Sequence, residues 1–168
     1  TLAEESRLLN TQMFLVGGAV RDLLLGQLSQ DLDFTLQSPC APLGAALQSK
    51  YGGELTCNPE FGAIHWLTPD QVALDITTTR SEHYPNFEDL PVVQQGNLRS
   101  DLERRDFSVN AMALCISNDS KGMLIDPFGG MKALEHKELR ILHPLSFRDD
   151  PTRIIRAARY AARYDFKL

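Results

Sequence analysis

The spacing of apolar residues changes its period several times along this chain. Met13-Phe14-Leu15-Val16 is a continuous apolar run, the pattern of a buried strand, and Gly17-Gly18 breaks it. From Ala19 to Leu25 apolar residues recur at helical spacing, and Gly26 fits the stop. Asp31 to Leu36 alternates charged and apolar side chains, which predicts a strand with one buried face. Ala3 to Asn10 and Ala41 to Lys50 read as helices, the second stopped by Gly52-Gly53. Three strands are predicted next, over Glu54–Cys57, Ala63–Leu67 and Val72–Thr77. Turn residues separate them, which predicts an antiparallel meander. Thr79 to Asn97 contains Pro85 and Pro91 and reads as a long loop. Helical pieces resume near Ser100, and Met123–Ile125 is a short strand. At the end, Asp150-Pro151 is an N-cap followed by a first-turn proline, and Thr152 to Tyr164 is a strong helix. Early strands followed by late helices make the expected class α+β.

Composition narrows the function classes. With 168 residues, 43% of them hydrophobic and 23% charged, the chain can bury a core. The net charge of −5 argues against a protein that coats nucleic acid electrostatically. Basic residues are nonetheless clustered: Arg99, Arg104 and Arg105 in one place, and Arg148, Arg153, Arg156, Arg159 and Arg163 in another. Three cysteines without a C-x-x-C pair fit neither a disulfide framework nor a zinc site. The start TLAEESRLLN is too polar for a signal peptide, and no apolar run approaches transmembrane length. The expected setting is reducing and cytoplasmic, with no membrane partner.

Five constellations carry candidate chemistry. Asp31 and Asp33 are two apart on a strand, so their carboxylates share a face. Their mutual repulsion would be relieved by a hard divalent cation such as Mg²⁺, although an isolated D-x-D is more often a solvated strand edge. Gly17, Gly18 and Arg21 form a turn from strand into helix that exposes backbone N–H groups to phosphate oxygens. The bland alternative there is an Arg21–Asp22 pair. Arg105, Asp106 and Asn110 offer guanidinium, carboxylate and amide to a triphosphate and a ribose; the alternative is a capped helix start. Asp150, Arg153 and Arg156 are spaced by three, so they share a helix face that could read a base edge. In that helix Arg159 and Arg163 read as solvated. Asp75 is a lone acid in an apolar strand and needs a partner, either a metal shared with Asp31 and Asp33 or a salt bridge, for instance to Arg80. The four histidines show no metal-ligand spacing and read as structural or surface residues.

In this order, LVGGAVRDLLLG, QDLDFTL, DLERRDFSVNAMAL, IDPFGG and DDPTRIIRAARYAARYDF resemble the class II tRNA nucleotidyltransferase and bacterial poly(A) polymerase family. The resemblance implies a polymerase-β-like nucleotidyltransferase head over residues 1–140 and the start of a helical neck over 141–168. It implies that Asp31 and Asp33 bind metal and that Asp75 is a third catalytic acid. Gly17, Gly18 and Arg21 match the triphosphate-contacting turn. Arg105, Asp106 and Asn110 match the motif that holds the sugar and phosphates. Asp150 and Arg153, supported by Arg156, match the pair that reads the incoming base. The implied reaction is template-independent transfer of CMP, AMP or both from CTP and ATP to a tRNA 3′ end with two Mg²⁺ ions. Poly(A) polymerase and a catalytically weak nucleotide- or RNA-binding head are the alternatives. One departure is Asp149 where the family usually has Glu. Relatives continue into further neck, body and tail helices that grip tRNA. The chain is then a natural short form or a truncated piece, with weak tRNA affinity. Apolar Ile154, Ile155 and Tyr160 on the neck helix offer a surface for self-association.

Overall fold

The computed structural model describes residues 2–29, 31–84, 91–117 and 120–167. Its elements in chain order are α1 (Leu2–Leu8), β1 (Met13–Val16), α2 (Gly18–Leu24), β2 (Leu32–Leu36), α3 (Ala41–Tyr51), β3 (Glu54–Asn58), β4 (Ala63–Leu67), β5 (Ala73–Thr78), β6 (Arg80–His83) and β7 (Val92–Gln95). There follow α4 (Leu98–Glu103), β8 (Ala113–Cys115), β9 (Leu124–Ile125), α5 (Gly130–Glu135), α6 (Ser146–Asp149) and α7 (Thr152–Tyr164). This is the expected α+β class.

Seven strands form one mixed sheet in the order β3-β4-β5-β2-β1-β8-β9. The β3-β4-β5 meander is antiparallel, as its turn residues predict. β2 and β5 pair in parallel, with Asp33 opposite Asp75. Alternation along the strands sorts the two faces of the sheet. Phe34, Leu36, Ile64, Trp66, Leu74 and Ile76 pack with Leu43 and Leu47 of α3 into one core. Asp33, His65 and Asp75 therefore project from the opposite face.

On that opposite face Phe14 and Val16 of β1 pack with Leu98 and Leu102 of α4. A third cluster joins Val20 of α2, Phe107, Val109 and Met112 to Ala157 of α7 and Phe166 beyond it. Tyr160 packs edge-on against Phe107 at 5.8 Å. Tyr160 therefore belongs to the core and not to a surface for self-association, whereas Ile154 and Ile155 are exposed. Past α7 the chain pairs with the segment after α5, Lys167 donating to the Lys137 carbonyl and accepting from the Leu139 N–H.

Two expectations need correction. The stretch from Thr79 to Asn97 is not all loop: β6 and β7 pair antiparallel as a separate two-stranded ribbon. Residues 85–90 of that stretch lie outside the described residues. The sequence of β6, Arg80-Ser81-Glu82-His83, has no apolar alternation, so only its partner strand reveals it. The last helix spans Thr152–Tyr164 as expected, but Pro151 and not Asp150 stands at its N-cap position. Asp150 nevertheless caps it, accepting from the Thr152 N–H at 2.9 Å and the Thr152 hydroxyl at 2.6 Å. No helix among the described residues is long and apolar enough to cross a membrane.

Candidate active site

One cleft of about 670 Å³ opens between the sheet, the α2 turn, the end of α4 and the inner face of α7. That is within the range of small-molecule sites, roughly 300–1,000 Å³. Its walls include Gly17, Gly18, Arg21, Asp31, Asp33, Arg105, Asp106, Asn110, Asp150, Arg153 and Arg156, so one cavity gathers candidates from four separate stretches of sequence. Asp75 is not on its wall.

The floor is acidic. Asp33 is half-buried on β2, and Asp31 is exposed just before that strand. Burial raises the Asp33 carboxyl above the usual aspartate range, and the nearby charges of Asp75 and Asp31 push the same way, against the pull of Arg105. A carboxylate whose ionisation is opposed by burial and by neighbouring acids is suited to a hard cation. Two carboxylates suffice for an ion that takes the rest of its shell from water and phosphate oxygens. The residues present therefore fit a divalent cation at Asp31 and Asp33. No group of three His, Cys, Asp or Glu side chains among the described residues converges into a ready-made metal cage.

Asp75 pairs with His65 and not with Arg80. Its carboxylate meets His65 Nδ1 at 2.8 Å across the β4–β5 ladder, and both side chains are about half exposed. Arg80 is instead paired with Glu82 at 2.9 Å. His65 is thus a neighbour of the acidic floor. The pairing of two strands brings it there, and no local spacing signals it.

The turn after β1 is shaped by Gly17, at φ +71°, where only glycine sits without strain. A Cβ there would lie 2.7 Å from Arg105 Nη1 and 3.6 Å from Asp33 Oδ2. The half-buried guanidinium of Arg105 thus occupies the space between the turn and the floor. Arg105 Nη2 donates to Asp101 Oδ2 at 3.2 Å, while its Nε is buried without a hydrogen-bond partner. Asp101 is fully buried and also takes Arg104 Nη2 at 2.9 Å. Burial opposes its ionisation, yet Arg104 and Arg105 together hold its carboxyl below the usual range.

Asp106 works as a hub. Its Oδ1 accepts from the Phe107 N–H and from Asn110 Nδ2, and its Oδ2 accepts from Arg156 Nε at 2.7 Å. Arg153 is buried: Nη1 donates to Ser146 Oγ at 2.6 Å and Nη2 to the Arg104 carbonyl at 2.8 Å. These two bonds fix the guanidinium plane, with Nε 3.8 Å from Asp150 Oδ2. Asp150 and Arg153 are therefore adjacent and held.

Several wall residues were missed or misread from sequence. Arg159 and Arg163 are exposed, as their spacing predicts, and also line the cleft. Neither joins an ion pair among the described residues; the signal lay in their recurrence with Arg156 at helical intervals. Glu82 and Tyr84 come from the ribbon, and nothing local marked them. In IDPFGG, Asp126 serves the fold. Its carboxylate accepts from the Gly130 and Met131 N–H groups and caps α5.

A mixed sheet with two carboxylates beside its parallel junction, and a glycine turn facing them, defines a nucleotidyltransferase fold. Residues 13–140 match the poly A polymerase head domain family, and the chain belongs to it. It is 43% identical over 155 residues to the A-adding tRNA nucleotidyltransferase of Aquifex aeolicus, a match covering 92% of this chain and 19% of that protein. It is 41% identical over 156 residues to the CC-adding tRNA nucleotidyltransferase of Deinococcus radiodurans, covering 93% and 42%. A solved apo structure of a CCA-adding enzyme superposes with a TM-score of 0.94 at 35% identity, covering 99% of this chain and 39% of that one. The chain thus spans less than half the length of these relatives.

Proposed function

We propose that this chain is the catalytic head of an enzyme that transfers CMP, AMP or both from CTP and ATP to the 3′ end of tRNA, with Mg²⁺ at Asp31 and Asp33. The observation that supports this most is the division of one cleft into an acidic floor and an arginine-rich wall. A triphosphate needs the wall, and an attacking hydroxyl needs the floor. The names of the A-adding and CC-adding relatives support tRNA as the acceptor and CMP or AMP as the transferred group.

In this reading the Gly17–Gly18 turn presents backbone N–H groups to the phosphates. Arg156, Arg159 and Arg163 supply charge to their outer oxygens. Asp150 and Arg153 contact the base edge and set the orientation of the sugar. Asp33 faces the place where the RNA 3′-hydroxyl must come. The oxygen of that hydroxyl bonds to the α-phosphorus, the bond to the β-phosphate oxygen breaks, and pyrophosphate leaves with the charge neutralised by the arginines. Bound Mg²⁺ would supply charge neutralisation of the triphosphate and easier loss of the 3′-hydroxyl proton. Asp75, tied to His65, contributes its charge near the floor. Catalysis is then mainly positioning and electrostatic stabilisation.

The test is extension of a labelled tRNA lacking its 3′ terminus, with Mg²⁺ and each nucleoside triphosphate singly and together. Incorporation of C, A or both is expected. Absence of incorporation, together with no ATP or CTP binding by calorimetry, would overturn the proposal.

A further inference from the structure

Arg21 is buried at 4% exposure, and every nitrogen of its guanidinium already has a partner. Nε donates to Asp22 Oδ1 at 2.9 Å, Nη1 to Asn110 Oδ1 at 2.6 Å and Nη2 to the Tyr164 hydroxyl at 2.6 Å. Tyr164 lies at the end of α7, 143 residues away in sequence. Its hydroxyl also donates to Asp22 Oδ1 at 3.0 Å. The guanidinium carbon stands 4.5 Å from the centre of the Tyr164 ring and 5.2 Å from that of Tyr160. Phe166 stacks on Tyr164 at 5.4 Å.

The same guanidinium lies close to the glycine turn. A Cβ on Gly18 would come within 3.3 Å of Arg21 Nη2. Arg21 is thus wedged between the turn and α7, with its charge satisfied by Asp22 and spread over two aromatic faces.

We infer that Tyr164 is a positioning residue: through Arg21 it latches α7, which begins beside Asp150 and carries Arg153, onto the Gly17–Gly18 turn. The latch fixes the distance between the groups proposed to read the base and those proposed to hold the phosphates. Arg21 then acts as the wedge of this latch and not as a freely available phosphate ligand. Burial, chiefly, keeps the Tyr164 phenol protonated well into the alkaline range, so it can donate to Asp22 while accepting from Arg21. The consequence for nucleotide binding rests on the function proposed above; the latch itself does not.

The test uses Tyr164→Phe in the full chain, which keeps the ring and removes the hydroxyl, with Phe166→Leu as a packing control that leaves the hydroxyl in place. Amide hydrogen exchange is read over Gly17–Asp22. Tyr164→Phe is expected to speed exchange in that segment at least tenfold, and Phe166→Leu to leave it within about twofold. Equal exchange in wild type and Tyr164→Phe, or equal loosening in both variants, would overturn the latch. Binding of ATP and CTP is read in parallel by calorimetry, and a three- to tenfold weaker Kd in Tyr164→Phe is expected. A wild-type chain that binds neither nucleotide sinks the functional reading alone, because the exchange data still decide the latch.

Discussion

Asp33 on β2 and Asp75 on β5 are in-register partners across the parallel junction of the sheet, so their carboxylates project from the same face. Asp75 is held to one side by His65, and Asp33 faces the cleft. The charge of Asp75 is one reason the Asp33 carboxyl is raised, after burial and beside Asp31.

That elevation gives a prediction about stability. A carboxyl whose folded pKa lies above its unfolded value binds its proton more tightly when folded. It therefore costs stability as pH rises from the unfolded pKa through the folded one. Asp33→Asn is expected to abolish nucleotide transfer while raising the metal-free Tm at neutral pH by roughly 2–4 °C, the shift that ~1 kcal/mol produces in a domain of this size. Differential scanning calorimetry checks it, and a lowered Tm would remove the electrostatic account of the floor.

Asp101 gives the opposite sign. Its folded pKa is depressed, so its contribution is present above the unfolded pKa and is lost as pH falls through the folded value. Asp101→Ala leaves Arg104 and Arg105 without their buried counter-ion and is expected to cost about 3–5 kcal/mol at pH 7. Urea titrations at pH 7 and pH 3 should show the gap between wild type and variant narrowing in acid.

Gly17→Ala places a methyl group 2.7 Å from Arg105 Nη1 at a backbone φ of +71°. Arg105 is half-buried and tied to Asp101, so its end must shift to make room. A loss of roughly 1–3 kcal/mol in stability is expected from the backbone strain, with nucleotide affinity falling more than tenfold. Guanidinium denaturation and calorimetry measure the two; unchanged affinity in a folded variant would remove the turn from the phosphate site.

Arg159→Ala and Arg163→Ala remove cations that join no ion pair among the described residues, so neither leaves a carboxylate stranded. Each is expected to weaken ATP or CTP binding about tenfold, ~1.4 kcal/mol, with little change in Tm. The loss should shrink as salt is raised, because exposed charges are screened. Equal affinity at low salt would show that the triphosphate lies elsewhere in the cleft.

Withdrawing the divalent ion should stop transfer but not unfold the chain, since the cores are apolar and lie away from Asp31 and Asp33. Activity with and without EDTA, alongside circular dichroism, separates the two effects.

The sequence by itself determined what local chemistry controls. Met13-Phe14-Leu15-Val16 followed by two glycines reads as a buried strand running into a turn. The alternation from Asp31 to Leu36 marks a strand with one polar side, although Asp31 itself stands just before β2. Asp150 before Pro151 marks the start of a helix through local chemistry. What residues within a few positions of each other dictate was therefore readable, and so was the order of the motifs that carry the family resemblance.

Only the tertiary structure decided who partners whom. Asp75 could have met a metal or Arg80, and the pairing of β4 with β5 gave it His65. Arg21 could have been free for phosphate, and the return of α7 brought Tyr164 to it. Arg159 and Arg163 became cleft walls because α7 packs its Ala157 and Tyr160 inward beside them. Each outcome depends on contacts between segments far apart in the chain, and no local periodicity encodes such contacts. A charged side chain takes whichever counter-charge the packing of apolar faces sets beside it.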